Sequence, residues 1–143
     1  MMDQNIKREI MIDHYSKPMN KGLVEDKGYR MIHNASDSCI DDITVGMLAE
    51  DGIIKDVRFD GVGCTICTSS TDIMCSLVKG KSFNEARIIL DNYYRMIEEK
   101  PFDEELLDEA NAFDTLYKQA NRIKCGTIGI NAIRDLINEY EKQ

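Results

Sequence analysis

The chain has 143 residues, which is enough for a hydrophobic core, and we predict a single domain over residues 1–143. A formal net charge of −8 disfavours nucleic acid as a partner, because most of the surface repels phosphate. No apolar run approaches the roughly 20 residues of a membrane helix, and charged residues are spread through the first ten positions, so no membrane partner is expected. Five cysteines without a secretion signal indicate a reducing compartment, and we expect a cytoplasmic protein.

Hydrophobic spacing predicts an amphipathic first helix over residues 5–17, which Pro18 ends. His14 lies near the end of this helix, where a histidine more often caps or packs than binds a metal. Alternating apolar residues then predict three antiparallel strands. The Asp51-Gly52 pair predicts a hairpin between the second and third strands, since its turn needs positive φ. The residues predicted to share a face are Tyr29, Met31 and His33 in the first strand and Ile43, Val45 and Met47 in the second, and the apolar residues of the third strand are Ile54, Val57 and Phe59.

Helices dominate the second half of the chain. Residues 65–78 read as one helix, and Ser82 with Glu85 resembles a capping box for another over residues 83–98. Residues 102–120 predict one or two short acidic helices. The apolar stripe of the closing helix is formed by Ile130, Ile133, Ile137 and Tyr140. Strands followed by helices predict an α+β fold.

The stretch from Asp60 to Cys67 contains the strongest local signal. Gly61 and Gly63 allow a tight turn from strand to helix, with Cys64 at the helix start. The unpaired amides of a helix start favour a thiolate, so Cys64 is a candidate metal ligand or nucleophile. A buried structural cysteine is an equally good interpretation of Cys64 taken alone.

The other cysteines of this helix are less informative. Cys64 and Cys67 form a C-x-x-C pair, which is typical of a redox pair or of half a zinc site. A thioredoxin-like motif needs a parallel βαβ context, whereas this pair follows an antiparallel meander, so we expect Cys67 to pack. Cys75 lies roughly 16 Å along the helix from Cys64, too far to share a metal, and we expect it in the core.

Three cysteines remain beside turn-forming or small residues: Cys39, Cys64 and Cys125. Zinc prefers four tetrahedral ligands, so three thiolates need one more group, and Asp41 is the nearest candidate in the sequence. Spacing alone also allows three unrelated core cysteines.

Four sequence motifs together resemble the SufU and IscU proteins of the NifU N-terminal family of iron-sulfur cluster assembly proteins. They are Cys39-Ile40-Asp41, Gly61-Val62-Gly63-Cys64, Cys125 before the last helix, and the segment His14-Tyr15-Ser16-Lys17-Pro18-Met19-Asn20-Lys21-Gly22. The resemblance spans nearly the whole chain. It implies an α+β fold with a three-stranded antiparallel sheet and helices packed on one side.

Two features resemble the SufU branch. Lys124 occupies the position of the histidine that precedes the third cysteine in IscU, and the interval from Cys64 to Cys125 is long. The resemblance implies that Cys39, Asp41, Cys64 and Cys125 bind Zn²⁺ and that Cys39 accepts persulfide sulfur from a SufS-like cysteine desulfurase. It also implies downstream iron-sulfur assembly proteins as partners, and a sulfurtransferase-like carrier role.

Two alternative functions remain open at this point. The same four residues are also suited to a scaffold on which a [2Fe-2S] cluster is assembled and passed on. The other alternative is a small interaction domain that binds a purely structural zinc ion. The chain also departs from the family pattern, because Ile40 replaces the usual glycine and Ser36-Asp37 stands where Asn-Pro is common. Asp42 and Cys67 are the neighbouring groups that an altered site would recruit.

Overall fold

A three-stranded antiparallel meander forms the sheet, in a computed structural model that describes residues 2–25, 28–35 and 40–142. The strands are β1 (Arg30–Ala35), β2 (Asp42–Glu50) and β3 (Ile53–Val62), in the order β1-β2-β3. Asp51 and Gly52 join β2 to β3 with φ values of 54° and 76°, so both central positions of the turn have positive φ, as predicted.

The two faces of the sheet differ in burial. The face that packs on the helices carries Ile43, Val45 and Met47, which are buried. In β1, however, Met31 and His33 share the exposed outer face, and Ile32 is the residue that packs against the core. Apolar residues occur on both faces of β1, so its alternation alone identifies no inner face.

The described part of the chain contains six α-helices and two short 3₁₀ segments, and two of the long helices make most of the contacts with the sheet. The long helices begin and end close to the predicted bounds, and the capping box of Ser82 and Glu85 is present. The helices are α1 (Gln4–Ser16), α2 (Thr65–Val78), α3 (Phe83–Ile97), α4 (Glu104–Leu107), α5 (Ala120–Ile123) and α6 (Ile128–Glu141). The 3₁₀ segments are Asp108–Phe113 and Leu116–Lys118.

The acidic segment is more broken than predicted. Instead of one or two short helices it contains α4 and both 3₁₀ segments, and α5 follows directly. Asp108 has φ of 44°, a value that an α-helix cannot continue through, so α4 ends there after one turn.

Helix α2 is the central element of the helical layer. It contacts α1, β3 and α6, and almost its whole length is buried. Gly129 on α6 lies so close to Thr71 on α2 that a Cβ at Gly129 would overlap the threonine side chain. This close crossing sets the position of α6, and of the turn before it, relative to the start of α2. No helix of the described ranges is long and apolar enough to span a bilayer.

Candidate metal centre

The end of β3 and the turn that follows it each depend on a glycine, for different reasons. Gly61 has φ of 124°, and a Cβ there would overlap the carbonyl oxygen of Asp42 on the neighbouring strand. The conformation of Gly63 needs no positive φ. A Cβ at Gly63 would instead lie 3.0 Å from Sγ of Cys67 and 3.1 Å from Oγ1 of Thr68, so this glycine allows a close approach of the helix.

Cys64 is the N-cap of α2, as the sequence predicts. Its Sγ accepts a hydrogen bond from the backbone N–H of Cys67 at 3.4 Å, which satisfies one of the free amides of the first turn. Its own backbone N–H donates to Oδ1 of Asp41 at 2.8 Å. The side chain is partly exposed, so the thiol lies at the surface end of the helix.

The loop before β2 directs alternate side chains in opposite directions. Asp41 is only 1% exposed and points inward, whereas Ile40 is 65% exposed. Asp42 also points outward, where its Oδ1 lies 2.6 Å from Nε2 of His33. The Ile40 side chain therefore points away from the Asp41 carboxylate, which faces Cys64. The Asp42 carboxylate faces away from Cys64.

Cys125 lies in the turn between α5 and α6, three residues before α6 begins, rather than at the helix start itself. It is buried. The hydroxyl of Tyr93 on α3 donates to the carbonyl oxygen of Gly126 at 2.7 Å, and a Cβ at Gly126 would overlap a methyl group of Leu116. These two contacts hold the turn and thereby the Cys125 thiol.

Asp41, Cys64 and Cys125 converge. One potential ligand atom from each lies within 4.8 Å of the other two. Ligand atoms around a tetrahedral zinc ion lie roughly 3.3–3.8 Å apart, given metal–ligand bonds of about 2.0–2.3 Å. Two thiol groups and a carboxylate within this reach are a donor set that suits zinc or iron. Oδ2 of Asp41 lies 3.9 Å from Sγ of Cys64, on the side of the carboxylate that the Cys64 amide leaves free.

Cys39, the fourth predicted ligand, lies outside the described residues, as do Ser36 and Asp37.

The remaining cysteines belong to the core, as expected. Cys67 is buried within the first turn of α2, and Cys75 is buried further along the same helix. Burial raises the pKa of the Cys75 thiol far above its ordinary value, so this group stays protonated and is unsuited to bind a metal.

A second polar cluster connects α1 to α2, and it includes a residue that the sequence analysis missed. Asp72 is fully buried, and its Oδ2 lies 2.5 Å from Nδ1 of His14. Nε2 of His14 lies 3.0 Å from Oε1 of Glu109, and the backbone N–H of Asn20 donates to Asp72 at 2.8 Å. His14 is thus a packing residue, as predicted. The available signal was a lone carboxylate in the middle of a helix that carries no other charged residue.

Comparison with known proteins identifies the family. Residues 6–143 match the model of the NifU-like N-terminal domain. The chain belongs to this family.

The names of two similar proteins refer to two different activities. The zinc-dependent sulfurtransferase SufU of Bacillus subtilis (strain 168) is 31% identical over 135 residues, covering 94% of this chain and 90% of the relative. The iron-sulfur cluster assembly scaffold protein IscU of Streptococcus pyogenes serotype M1 is 32% identical over 130 residues, covering 90% of this chain and 80% of the relative. The predicted family is confirmed, and its members include both a zinc-dependent sulfurtransferase and a cluster assembly scaffold.

A solved structure agrees with the fold. The putative iron-sulfur cluster assembly scaffold protein for the SUF system from Fervidobacterium islandicum AW-1 superposes with a TM-score of 0.81 and 27% identity. The superposition covers 93% of this chain and 97% of that protein. The predicted α+β architecture is therefore confirmed both by the sheet and helices described above and by a solved relative.

Proposed function

We propose that this protein is a zinc-binding sulfur acceptor in iron-sulfur cluster biogenesis, which takes persulfide sulfur from a SufS-like cysteine desulfurase on Cys39. The observation that carries the proposal is the convergence of Asp41, Cys64 and Cys125 within 4.8 Å. The similarity to a zinc-dependent sulfurtransferase supports it. The proposal takes residues 1–143 as one domain that acts in the cytoplasm.

The donor set supports zinc as the metal. Cys39, Asp41, Cys64 and Cys125 together provide three thiolates and one carboxylate, which is a complete tetrahedral set. A zinc ion bound there would keep the thiolates deprotonated and limit their reactivity until a partner arrives. Carboxylate oxygen is the hardest donor of the four, so Asp41 would be the weaker oxygen ligand, and Cys39 is the ligand that the desulfurase would displace, because Cys39 is the group that reacts.

Asp41 has a second task in this scheme. Its Oδ1 accepts the Cys64 N–H, while Oδ2 lies on the side of the Cys64 thiol. The hydrogen bond fixes the carboxylate even when the second oxygen has no metal, which keeps the site assembled during the exchange of a ligand.

Sulfur acceptance by Cys39 is a thiol–persulfide exchange. The Cys39 thiolate attacks the outer sulfur of the desulfurase persulfide, so that a new S–S bond forms on Cys39 and the old S–S bond breaks. The desulfurase cysteine leaves as a thiolate, and no external oxidant or reductant is needed. Downstream iron-sulfur assembly proteins then receive the sulfur. Arg122, exposed on α5 close before Cys125, is a candidate contact for an acidic partner surface.

The rival function is a scaffold that assembles a [2Fe-2S] cluster on the same four residues. The identity to an IscU scaffold protein favours it, and carboxylate ligation would make such a cluster easy to pass on. Lys124 in place of the scaffold branch's histidine favours the sulfur acceptor.

A transfer assay with radiolabelled cysteine and a purified SufS-like desulfurase tests the proposal. We expect label on the wild-type chain and on Cys75→Ser, whose side chain is in the core, and none on Cys39→Ser. Full transfer to Cys39→Ser would contradict the proposal. A chain that accepts no sulfur but is reconstituted with a [2Fe-2S] cluster would support the scaffold instead.

A further inference from the structure

The first turn of α2 places two cysteines in a distinctive arrangement. Cys64 is the N-cap and Cys67 is the third residue of the helix, and the Cys67 N–H donates to Sγ of Cys64 at 3.4 Å. Residues three apart in a helix have Cα atoms roughly 5 Å apart, which lies inside the range of disulfide-bonded cysteines. The backbone of this turn is therefore compatible with a Cys64–Cys67 disulfide without moving a second element.

The side chain of Cys67 points towards the same turn. Its Sγ lies 3.0 Å from the position of a Cβ on Gly63, the residue directly before Cys64. Helical side chains lean towards the N-terminus of their helix, which explains this direction. The absence of a side chain at Gly63 thus leaves room for the Cys67 thiol beside the start of α2.

The two thiols also differ in access. Cys64 is partly exposed, whereas Cys67 is fully buried. A reagent from solution therefore reaches Cys64 first, and Cys67 has only to reach Cys64. This division into an exposed attacking thiol and a buried resolving thiol is what a reversible dithiol pair requires.

We propose that Cys64 and Cys67 form a reversible dithiol–disulfide pair that is oxidised by low-molecular-weight disulfides. The Cys64 thiolate attacks the reagent and forms a mixed disulfide, releasing one small thiol. Cys67 then attacks Sγ of Cys64 and forms the Cys64–Cys67 bond, while its thiol proton passes to the departing small thiolate, which leaves as the second small thiol. Two protein thiols are oxidised and one small disulfide is reduced to two thiols, so electrons and protons balance.

The sequence alone predicts that Cys67 packs, because the preceding strands are antiparallel. The pairing of these thiols, however, depends on the helix start rather than on the direction of the strands. Oxidation would also withdraw Cys64 from the candidate metal centre. This consequence, unlike the disulfide itself, rests on the proposed function, and it predicts that oxidised protein binds zinc at least about tenfold more weakly.

Mass spectrometry of the full chain in oxidised glutathione tests the pair. A proteinase that cleaves before aspartate releases residues 60–71, which contain Cys64 and Cys67 and no other cysteine. We expect this peptide to be lighter by two hydrogen atoms and to resist alkylation until a reductant is added. In Cys67→Ser the reaction should stop at glutathione bound to Cys64. Cys75→Ser, a core cysteine further along the same helix, should behave like the wild type.

Two results would overturn the proposal. One is a stable glutathione adduct on Cys64 in the wild type, with no internal disulfide. The other is a disulfide that joins Cys64 to Cys125 or to Cys39 instead of Cys67. If the Cys64–Cys67 disulfide forms in zinc-free protein but leaves zinc affinity unchanged, the redox pair stands, and the ligand role of Cys64 is contradicted.

Discussion

The backbone N–H of Cys64 donates to Oδ1 of Asp41 at 2.8 Å, which joins the start of α2 to the loop before β2. The two residues are 23 positions apart in the chain. One carboxylate oxygen thus holds the cap residue in place, while the other lies towards the Cys64 thiol and remains available for a metal. Asp41 is therefore both a positioning group and a candidate ligand.

This double role predicts the effect of removing the carboxylate. Asp41→Ala should lower zinc affinity by at least about tenfold, because it deletes one ligand and leaves the Cys64 amide unpaired. Asp42→Ala is the matched control, since that neighbouring carboxylate points outward to His33. Zinc affinity is measured by competition with a chromogenic chelator. Equal losses in the two variants would contradict the assignment of Asp41.

The end of β3 should tolerate no side chain at Gly61. Gly61→Ala combines strain at positive φ with overlap on the Asp42 carbonyl oxygen. Gly80→Ala has positive φ as well, but a Cβ there meets nothing within 4 Å, so it isolates the strain, which is about 1–3 kcal/mol. We expect urea denaturation to give a distinctly larger loss of unfolding free energy for Gly61→Ala. Similar losses would mean that the overlap is relieved at no cost.

The His14 cluster should make stability depend on pH. Burial alone lowers the pKa of His14, but the hydrogen bonds and charges of Asp72 and Glu109 outweigh burial and hold the pKa above its usual value. A pKa raised on folding adds stability that is complete below about pH 6.5, the ordinary value, and disappears as the pH rises through the folded-state pKa.

His14→Gln removes this contribution and provides the test. The difference in unfolding free energy between wild type and variant should be larger at pH 6 than at pH 9, as measured by urea denaturation at both values. His33→Gln alters the exposed histidine and should change stability by less than about 0.5 kcal/mol. A His14→Gln difference that grows towards pH 9 would show that the ring is neutral in the folded protein.

Tyr93 should stabilise the turn that carries Cys125. Tyr93→Phe leaves the buried Gly126 carbonyl without its donor and should cost about 1–3 kcal/mol, together with weaker zinc binding. Tyr94→Phe is the matched control, because the Tyr94 hydroxyl contacts Asn131 on α6 away from that turn. Thermal unfolding and chelator competition give both quantities. Unchanged zinc affinity in Tyr93→Phe would mean that Cys125 is held by other contacts.

Local patterns predicted most of the architecture. Asp51-Gly52 identified the hairpin, and the bounds of α2 followed from the glycine-containing turn before Cys64 and from Gly80 as the stop. The inner face of β1 was not predictable, because Met31 and Ile32 are both apolar and only packing distinguishes them.

Contacts between residues far apart in the chain explain why the geometry of the site could not be predicted from the sequence. The spacing of Asp41, Cys64 and Cys125 gives no distance between them; the close crossing at Gly129 and Thr71 and the Tyr93 hydrogen bond bring Cys125 to the start of α2. Asp72 was missed for a similar reason. A carboxylate is usually expected at the protein surface, and the partner of Asp72, His14, lies 58 residues earlier in the chain.

Native mass spectrometry of anaerobically purified protein tests the central claim, the zinc centre, most directly. We predict one zinc ion per wild-type chain, retained by Cys75→Ser and lost or weakened in Asp41→Ala, Cys39→Ser and Cys64→Ser. Zinc retained equally by all of these variants, or the mass of an iron-sulfur cluster in place of zinc, would contradict it.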